Sequence, residues 1–371
     1  MLHTKIVYDL MTNRHNTASY RYQDTPNTHN SSNAKSTHCP STDIDVMAIG
    51  ESMLAVRPNL EDEAFEWEVC GAESNVVRNC SALGLRTAWI SQVGTDLAGD
   101  LVLSSIKNSG VDIGNVRRLP DHQTGLMLKE VTEHNRRVRY YRRNSAAAAM
   151  TPEIAAAISQ NPKILHLTGI TLGLSSTCRQ LAESLINNRS SQTRISFDIN
   201  WRPTIWNSSN ASTVLRQVAN KCDIVFVGLD EATDLWSATS VADIRKLLPN
   251  PNVLVVKDGG NGAYADLLRQ AWFVPALNGP VVEPVGAGDA FAAGFLSGIL
   301  TDQDNIEKCL RLGHITAMSA LAQCSDVGPL ADERTTRFLL EMSPQQWRTA
   351  HLNLAYPQPG LTIKNQQYSV S

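Results

Sequence analysis

The sequence predicts a doubly wound α/β fold: a mostly parallel β-sheet with helices on both faces, carrying a small β lid. Three observations lead there. Six short continuous apolar segments recur along the chain, "DVMAIG" (45–50), "TAWISQVG" (87–94), "ILHLTGI" (164–170), "RISFDIN" (194–200), "DIVFVG" (223–228) and "NVLVVKDG" (252–259). They are rich in Val and Ile and give out near Gly, Asp or Asn, as strands buried on both faces of a parallel sheet do. Helix-compatible stretches at 173–190, 209–221 and 239–248 separate several of them, which makes βαβ units. A third class of segment, "FEWEV" (65–69), "GLMLKEV" (125–131) and "RVRYYRR" (137–143), alternates like half-exposed strands outside that sheet.

Composition narrows the function classes. A chain of 371 residues is long enough for one large α/β domain or two ordinary ones. Its hydrophobic fraction of 42% and charged fraction of 19% are those of an ordinary soluble protein. A formal net charge of −3 argues against a nucleic-acid footprint over the whole surface. Seven cysteines (Cys39, Cys70, Cys80, Cys178, Cys222, Cys309, Cys324) are scattered and never form C-x-x-C, which suggests neither a disulfide framework nor a zinc site. A reducing cytoplasm is the expected location. No apolar run is long enough to span a bilayer, so no membrane partner is expected.

In chain order, residues 1–43 are rich in Asn, Thr, Ser and His without apolar periodicity, and are expected to be a disordered extension. One domain is expected over 44–342, with lid strands at about 65–71 and 125–143. "TEHN" would turn the second lid strand into the third. In that third strand Val138, Tyr140 and Arg142 share one face, and Arg137, Arg139, Tyr141 and Arg143 the other. The stretch "RRVRYYRRN" (136–144) could serve nucleic acid, solvent or an acidic small molecule. The polar stretch 343–371, with Pro357 and Pro359, is expected to be a loose tail.

The chemistry concentrates in "VVEPVGAGDAFAAGFLSGIL" (281–300). Gly286, Ala287 and Gly288 precede a helix starting near Asp289. Such a turn exposes unpaired N–H groups at the positive end of a helix dipole, which suits phosphate. Asp289 is either a helix cap or a carboxylate with work to do at that anion site. No G-x-x-x-x-G-K-[ST] occurs, and the spacing here is not the dinucleotide G-x-G-x-x-G.

"PVGAGDAFAAGF" resembles the second signature of the PfkB, or ribokinase-like, carbohydrate kinases, and the resemblance covers about residues 44–330. It implies a ribokinase-like fold using ATP and Mg²⁺, an anion hole at Gly286, Ala287 and Gly288, and Asp289 as the base that takes the acceptor's proton. "CGAESNVVRNCSALG" (70–84) resembles the family's sugar-binding turn and implicates Gly71 and Asn75, with Cys70 where the family has a first glycine. "VVKDGGNGA" (255–263) resembles the turn passing the nucleotide, which implicates Lys257, Gly259 and Gly262. "GHITAMSALAQC" (313–324) falls where the family lines its adenine pocket. The magnesium-orienting N-x-x-E would fall at "GLDEATDL" and reads Asp230 to Thr233, with Glu231 and Asp234 nearby; no metal ligand is assigned.

The lid stretch "RVRYYRRNSAAA", with "FDINWRPTIW" (197–206) and "LHLTGITLGLS" (165–175), resembles the 2-keto-3-deoxygluconate kinases within that family. The resemblance implies that Tyr140, Arg142 and Arg202 face a sugar acid. Chemistry agrees, since a carboxylate in a half-dry site suits the guanidinium fork. A homo-oligomer is expected, with the other lid arginines in solvent or in a subunit contact. The rivals are kinases of fructose, ribose or 5-keto-2-deoxygluconate, a non-catalytic sugar-acid sensor, and a dinucleotide oxidoreductase.

Overall fold

The computed structural model describes residues 43–58, 64–132, 135–156, 158, 161–206, 210–268, 270–354, 360–363 and 366–369. The expected N-terminal extension lies outside them, apart from Asp43, and so does the centre of the "TEHN" turn.

An eight-stranded sheet forms the body. Its order is Ala271–Pro275, Gly262–Asp266, Val253–Asp258, Ile224–Gly228, Arg194–Asp198, Ile164–Thr168, Val46–Ile49, Thr87–Ile90. The last six run parallel, and the first two return antiparallel at one edge. The continuous apolar runs have a simple cause in this arrangement. Along Val46–Ile49, Val46 and Ala48 enter one core, with the helices Ala72–Ala82, Ala287–Thr301 and Ile306–Leu321. Met47 and Ile49 enter the other, with Ser176–Asn187 and Ala211–Ala219. Both faces of the sheet are therefore covered, and a polar residue on either face would be buried.

The lid is a separate four-stranded sheet in the order Phe65–Cys70, Met53–Pro58, Leu126–Thr132, Asn135–Tyr141. Leu54, Val56, Val69, Leu126 and Leu128 on one face pack into the body's first core. Met53, Ala55, Cys70 and Met127 form their own small cluster on the other. Period-two alternation thus gives the lid one face for the body and a second for whatever lies beneath it.

Residues 343–354 are packed on the domain rather than loose. Ser343 caps a helix over Pro344–Thr349, Trp347 is 1% exposed, and its indole N–H donates to the Pro275 carbonyl at 2.9 Å. The strand Ala350–Asn353 follows and opens an antiparallel three-stranded sheet with Gly360–Ile363 and Gln366–Ser369. One buried tryptophan outweighs the polar composition around it. Cys70, Cys80, Cys178, Cys222, Cys309 and Cys324 are free thiols. Among the described residues no helix is long and apolar enough to cross a membrane.

Candidate active site

The site lies at the carboxyl ends of the parallel strands, where an open α/β sheet presents its loops. The helix Ala287–Thr301 begins there. Its N-cap, Gly286, has φ 83, and a Cβ at that position would stand 2.7 Å from the Asp326 carbonyl oxygen. Left-handed backbone and the close approach both require glycine. Gly286 is thus the N-cap, and Ala287 and Gly288 the first residues, of a fifteen-residue helix that opens at the cleft, with the Ala287 N–H donating to the Pro284 carbonyl at 3.3 Å.

Asp289 sits in the first turn of that helix but does not cap it. Its carboxylate is held from two sides, by Asn75 Nδ2 at 3.0 Å and Asn200 Nδ2 at 3.4 Å. Burial pushes its pKa up to about 7, and the nearby carboxylates of Asp198 and Asp326 push the same way. The Asn75 amide and Lys257 oppose them without prevailing. A carboxyl group that exchanges its proton near neutrality has the property of a general base.

Asn75 reaches this position from the helix Ala72–Ala82, whose N-cap is Gly71. A Cβ on Gly71 would stand 2.3 Å from the Glu51 carbonyl oxygen, so glycine lets lid and body cross there. Among the described residues the buried Oδ1 atoms of Asn75 and Asn200 meet no partner, which leaves an acceptor on each side of Asp289.

Lys257 is set deeper than a turn residue. Its ammonium bonds Asp198 at 2.7 Å and lies 3.4 Å from where a Cβ on Gly288 would stand, so it backs the anion turn. Burial opposes its charge, but Asp198, Glu231 and Asp289 hold its pKa above the ordinary lysine value. Gly259 and Gly262 form the turn between the strands Val253–Asp258 and Gly262–Asp266. The helix expected near adenine is mostly interior, with His314 set edge-on to Phe291 at 5.0 Å.

The acid of the "GLDEATDL" segment that enters the site is Glu231, which corrects the register of Asp230 to Thr233. The Thr233 hydroxyl is spent on Leu229 of its own helix. Glu231 accepts the N–H groups of Gly228 and Trp201, each at 2.7 Å, and burial raises its pKa. Glycine thus stands where the pattern has asparagine.

The arginines separate. The lid strand ends at Tyr141, so alternation does not aim Arg142. Its guanidinium turns back toward the start of the lid, where it pairs with buried Glu51 and lies 5.7 Å from the Tyr140 ring. Ser145 donates to the same Glu51 carboxylate. Arg142 Nε keeps no partner. Tyr140 and Arg143 are exposed. Arg202 is half exposed at the rim, donates to its neighbour's carbonyl, and stands 3.8 Å from Glu231. Two free converging forks are therefore not what the fold presents. Sequence reasoning assigns no role to Asp198, Asn200, Glu231, Asp326 or Glu51; Asp198 and Asn200 lie within "FDINWRP", and only a strand end marks Glu51.

The pattern of the pfkB family carbohydrate kinases matches residues 40–332. A 2-dehydro-3-deoxygluconokinase of Bacillus subtilis (strain 168) is 33% identical over 310 residues, covering 80% of this chain and 95% of its own. A 5-dehydro-2-deoxygluconokinase of Shouchella clausii is 26% identical, over 76% of this chain and 91% of its own. The crystal structure of a PfkB protein from Polaromonas sp. JS666 superposes with a TM-score of 0.67 at 29% identity, over 76% of this chain and 98% of its own. With the glycine turn, the buried aspartate and the strand-end site on one scaffold, the chain belongs to the pfkB family of carbohydrate kinases and is a sugar kinase.

Proposed function

We propose that the protein transfers the γ-phosphoryl group of ATP to the terminal hydroxyl of 2-keto-3-deoxygluconate, giving the 6-phosphate. Asp289 takes the hydroxyl proton as the oxygen attacks phosphorus. The bond from phosphorus to the β,γ-bridging oxygen breaks, and ADP leaves. Negative charge on the moving group faces the helix N-terminus at Gly286, Ala287 and Gly288, with Lys257 behind it, so the stabilising dipole stands ready before reaction. Asn75 and Asn200 orient Asp289, and their free carbonyl oxygens accept sugar hydroxyls. Gly259 and Gly262 flank the nucleotide.

Among the described residues no group of three or more His, Cys, Asp or Glu side chains could hold a metal ion, and both oxygens of Glu231 are taken by backbone N–H groups. Magnesium would accordingly come to the site with ATP, where it would supply neutralisation of phosphate charge. No protein ligand is assigned to it.

The observation that carries the acid-sugar reading is Arg202. Its guanidinium is half exposed two positions from Asn200, and its acidic neighbour Glu231 is already hydrogen-bonded to backbone. It has donors to give a carboxylate in a partly dry site. Arg142, neutralised by Glu51, adds its remaining Nε and holds the lid's end, with Tyr140 beside it. A second reading, 5-keto-2-deoxygluconate as acceptor, has in its favour the similarity to the Shouchella clausii kinase. ADP release with ATP, Mg²⁺ and a panel of both keto-deoxy acids, gluconate, fructose and ribose tests this. The expected outcome is the highest kcat/KM for 2-keto-3-deoxygluconate. Faster use of a neutral sugar would overturn the reading.

A further inference from the structure

Asp326 lies in the loop after the helix Ile306–Leu321 and is 4% exposed. The Asn75 amide that donates to Asp289 at 3.0 Å also donates to Asp326 at 3.2 Å, so one NH₂ group ties two buried carboxylates together. On its other side Asp326 meets the lid. Lys129 Nζ stands 3.6 Å from its Oδ1, and its backbone N–H donates to Glu68 at 3.3 Å. Lys129 and Glu68 are joined across the lid at 2.6 Å. Two carboxylates around one amide are unfavourable without countercharge. Here that countercharge comes from Lys129 in the lid and from Arg78.

We propose that Asp326 is a positioning residue for phosphoryl transfer: through the shared Asn75 amide it sets the orientation and charge of Asp289, and through Lys129 it makes that setting depend on the lid being seated. With the lid down, Lys129 balances Asp326, and the Asn75 amide donates to both carboxylates, the shorter bond holding Asp289 toward the acceptor. With the lid lifted, Asp326 loses that partner and competes for the amide. The base is then complete only when the lid covers the site, which guards the phosphoryl group against water.

The inference rests on the reading of Asp289 as proton acceptor, and the charges around the pair give it a sign. Asp289 is faced by Asn75, by Asp198 and Asn200, by Lys257 and by Asp326. Asp326 is faced by Glu68, Lys129, Arg78 and Asn75, with Cys70 close by. The Asp326 carboxylate raises the pKa of Asp289, so removing its charge moves the acidic limb of activity to lower pH.

The test is kcat/KM against pH, with ATP, Mg²⁺ and 2-keto-3-deoxygluconate, for the wild type, Asp326→Asn and Asp289→Glu. Asp326→Asn should move the acidic limb down by roughly half a pH unit or more, leaving the KM for ATP unchanged. A merely structural residue would lower kcat or Tm and leave the limb in place. A limb that moves in Asp289→Glu but not in Asp326→Asn overturns this proposal and spares the base. A limb unmoved in Asp289→Glu removes the base reading, and this proposal with it. Should Asp326→Asn fail to fold, the triple variant Glu68→Gln/Lys129→Met/Asp326→Asn makes the same measurement, because it removes the whole charge cluster rather than stranding one member of it.

Discussion

At the scale of single residues, Asp289 carries the sharpest expectations. Asp289→Asn keeps the carboxylate's shape and should lower kcat by about 10²–10⁴-fold while ATP and sugar still bind; steady-state kinetics with a binding titration checks this. The sign of the pH dependence follows from its raised pKa. A base must be deprotonated, so activity should be full above about pH 7 and fall as pH drops through it, with kcat/KM losing a factor of ten per unit. The arginines should differ in kind. Arg202→Leu should cost about 1.5–3 kcal/mol in kcat/KM for the sugar acid and little for ATP. Arg142→Leu strands the buried Glu51 carboxylate and should cost about 3–5 kcal/mol of stability, read as a lowered Tm. Arg143→Leu, at the exposed position, should leave both measurements near wild type. Asp289 was legible because a glycine turn announced it. Asp326 was not, since a loop acid far along the chain has no pattern until Asn75 brings the two together.

At the scale of elements, the anion turn depends on one backbone conformation. Gly286→Ala faces both a φ of 83 and the Asp326 backbone, so the helix start must shift. The cost is about 1–3 kcal/mol, and kcat should fall further than the sugar KM rises; kinetics beside a melting curve would separate the two effects. The central strands were readable from sequence because burial on both faces leaves only apolar residues in a run. Met53–Pro58 escaped notice: its alternation is split between the lid's two faces, and both are largely covered. The Arg142–Glu51 pair was invisible for a related reason. Period-two reasoning carried Arg142 one residue past the end of its strand, and there a different partner, Glu51, decides where the guanidinium goes.

At the scale of the whole molecule, the sheet separates two apolar cores, and the C-terminal segment closes one of them. Trp347 lies in the first core, under the Arg311 guanidinium at 5.1 Å. Trp347→Ala should cost about 3–5 kcal/mol, measured as a lower denaturant midpoint, with the sugar KM unaffected. Composition hid this, since a single aromatic in a polar stretch carries no period. The lid has a different consequence, one of timing. Leu54 pairs in parallel with Leu126, and Ala55 with Met127, so the lid's central ladder joins strands separated by much of the domain's first half. Such a pairing pays a large loop-closure entropy before it gains any contacts, whereas the βαβ units of the body close short loops. The lid should therefore form late in refolding and open first under native conditions. Its ladder amides would then exchange with deuterium before those of Ile224–Gly228, whose partners are its neighbours along the chain, and the part that the proposed mechanism moves would also be the last part to fold.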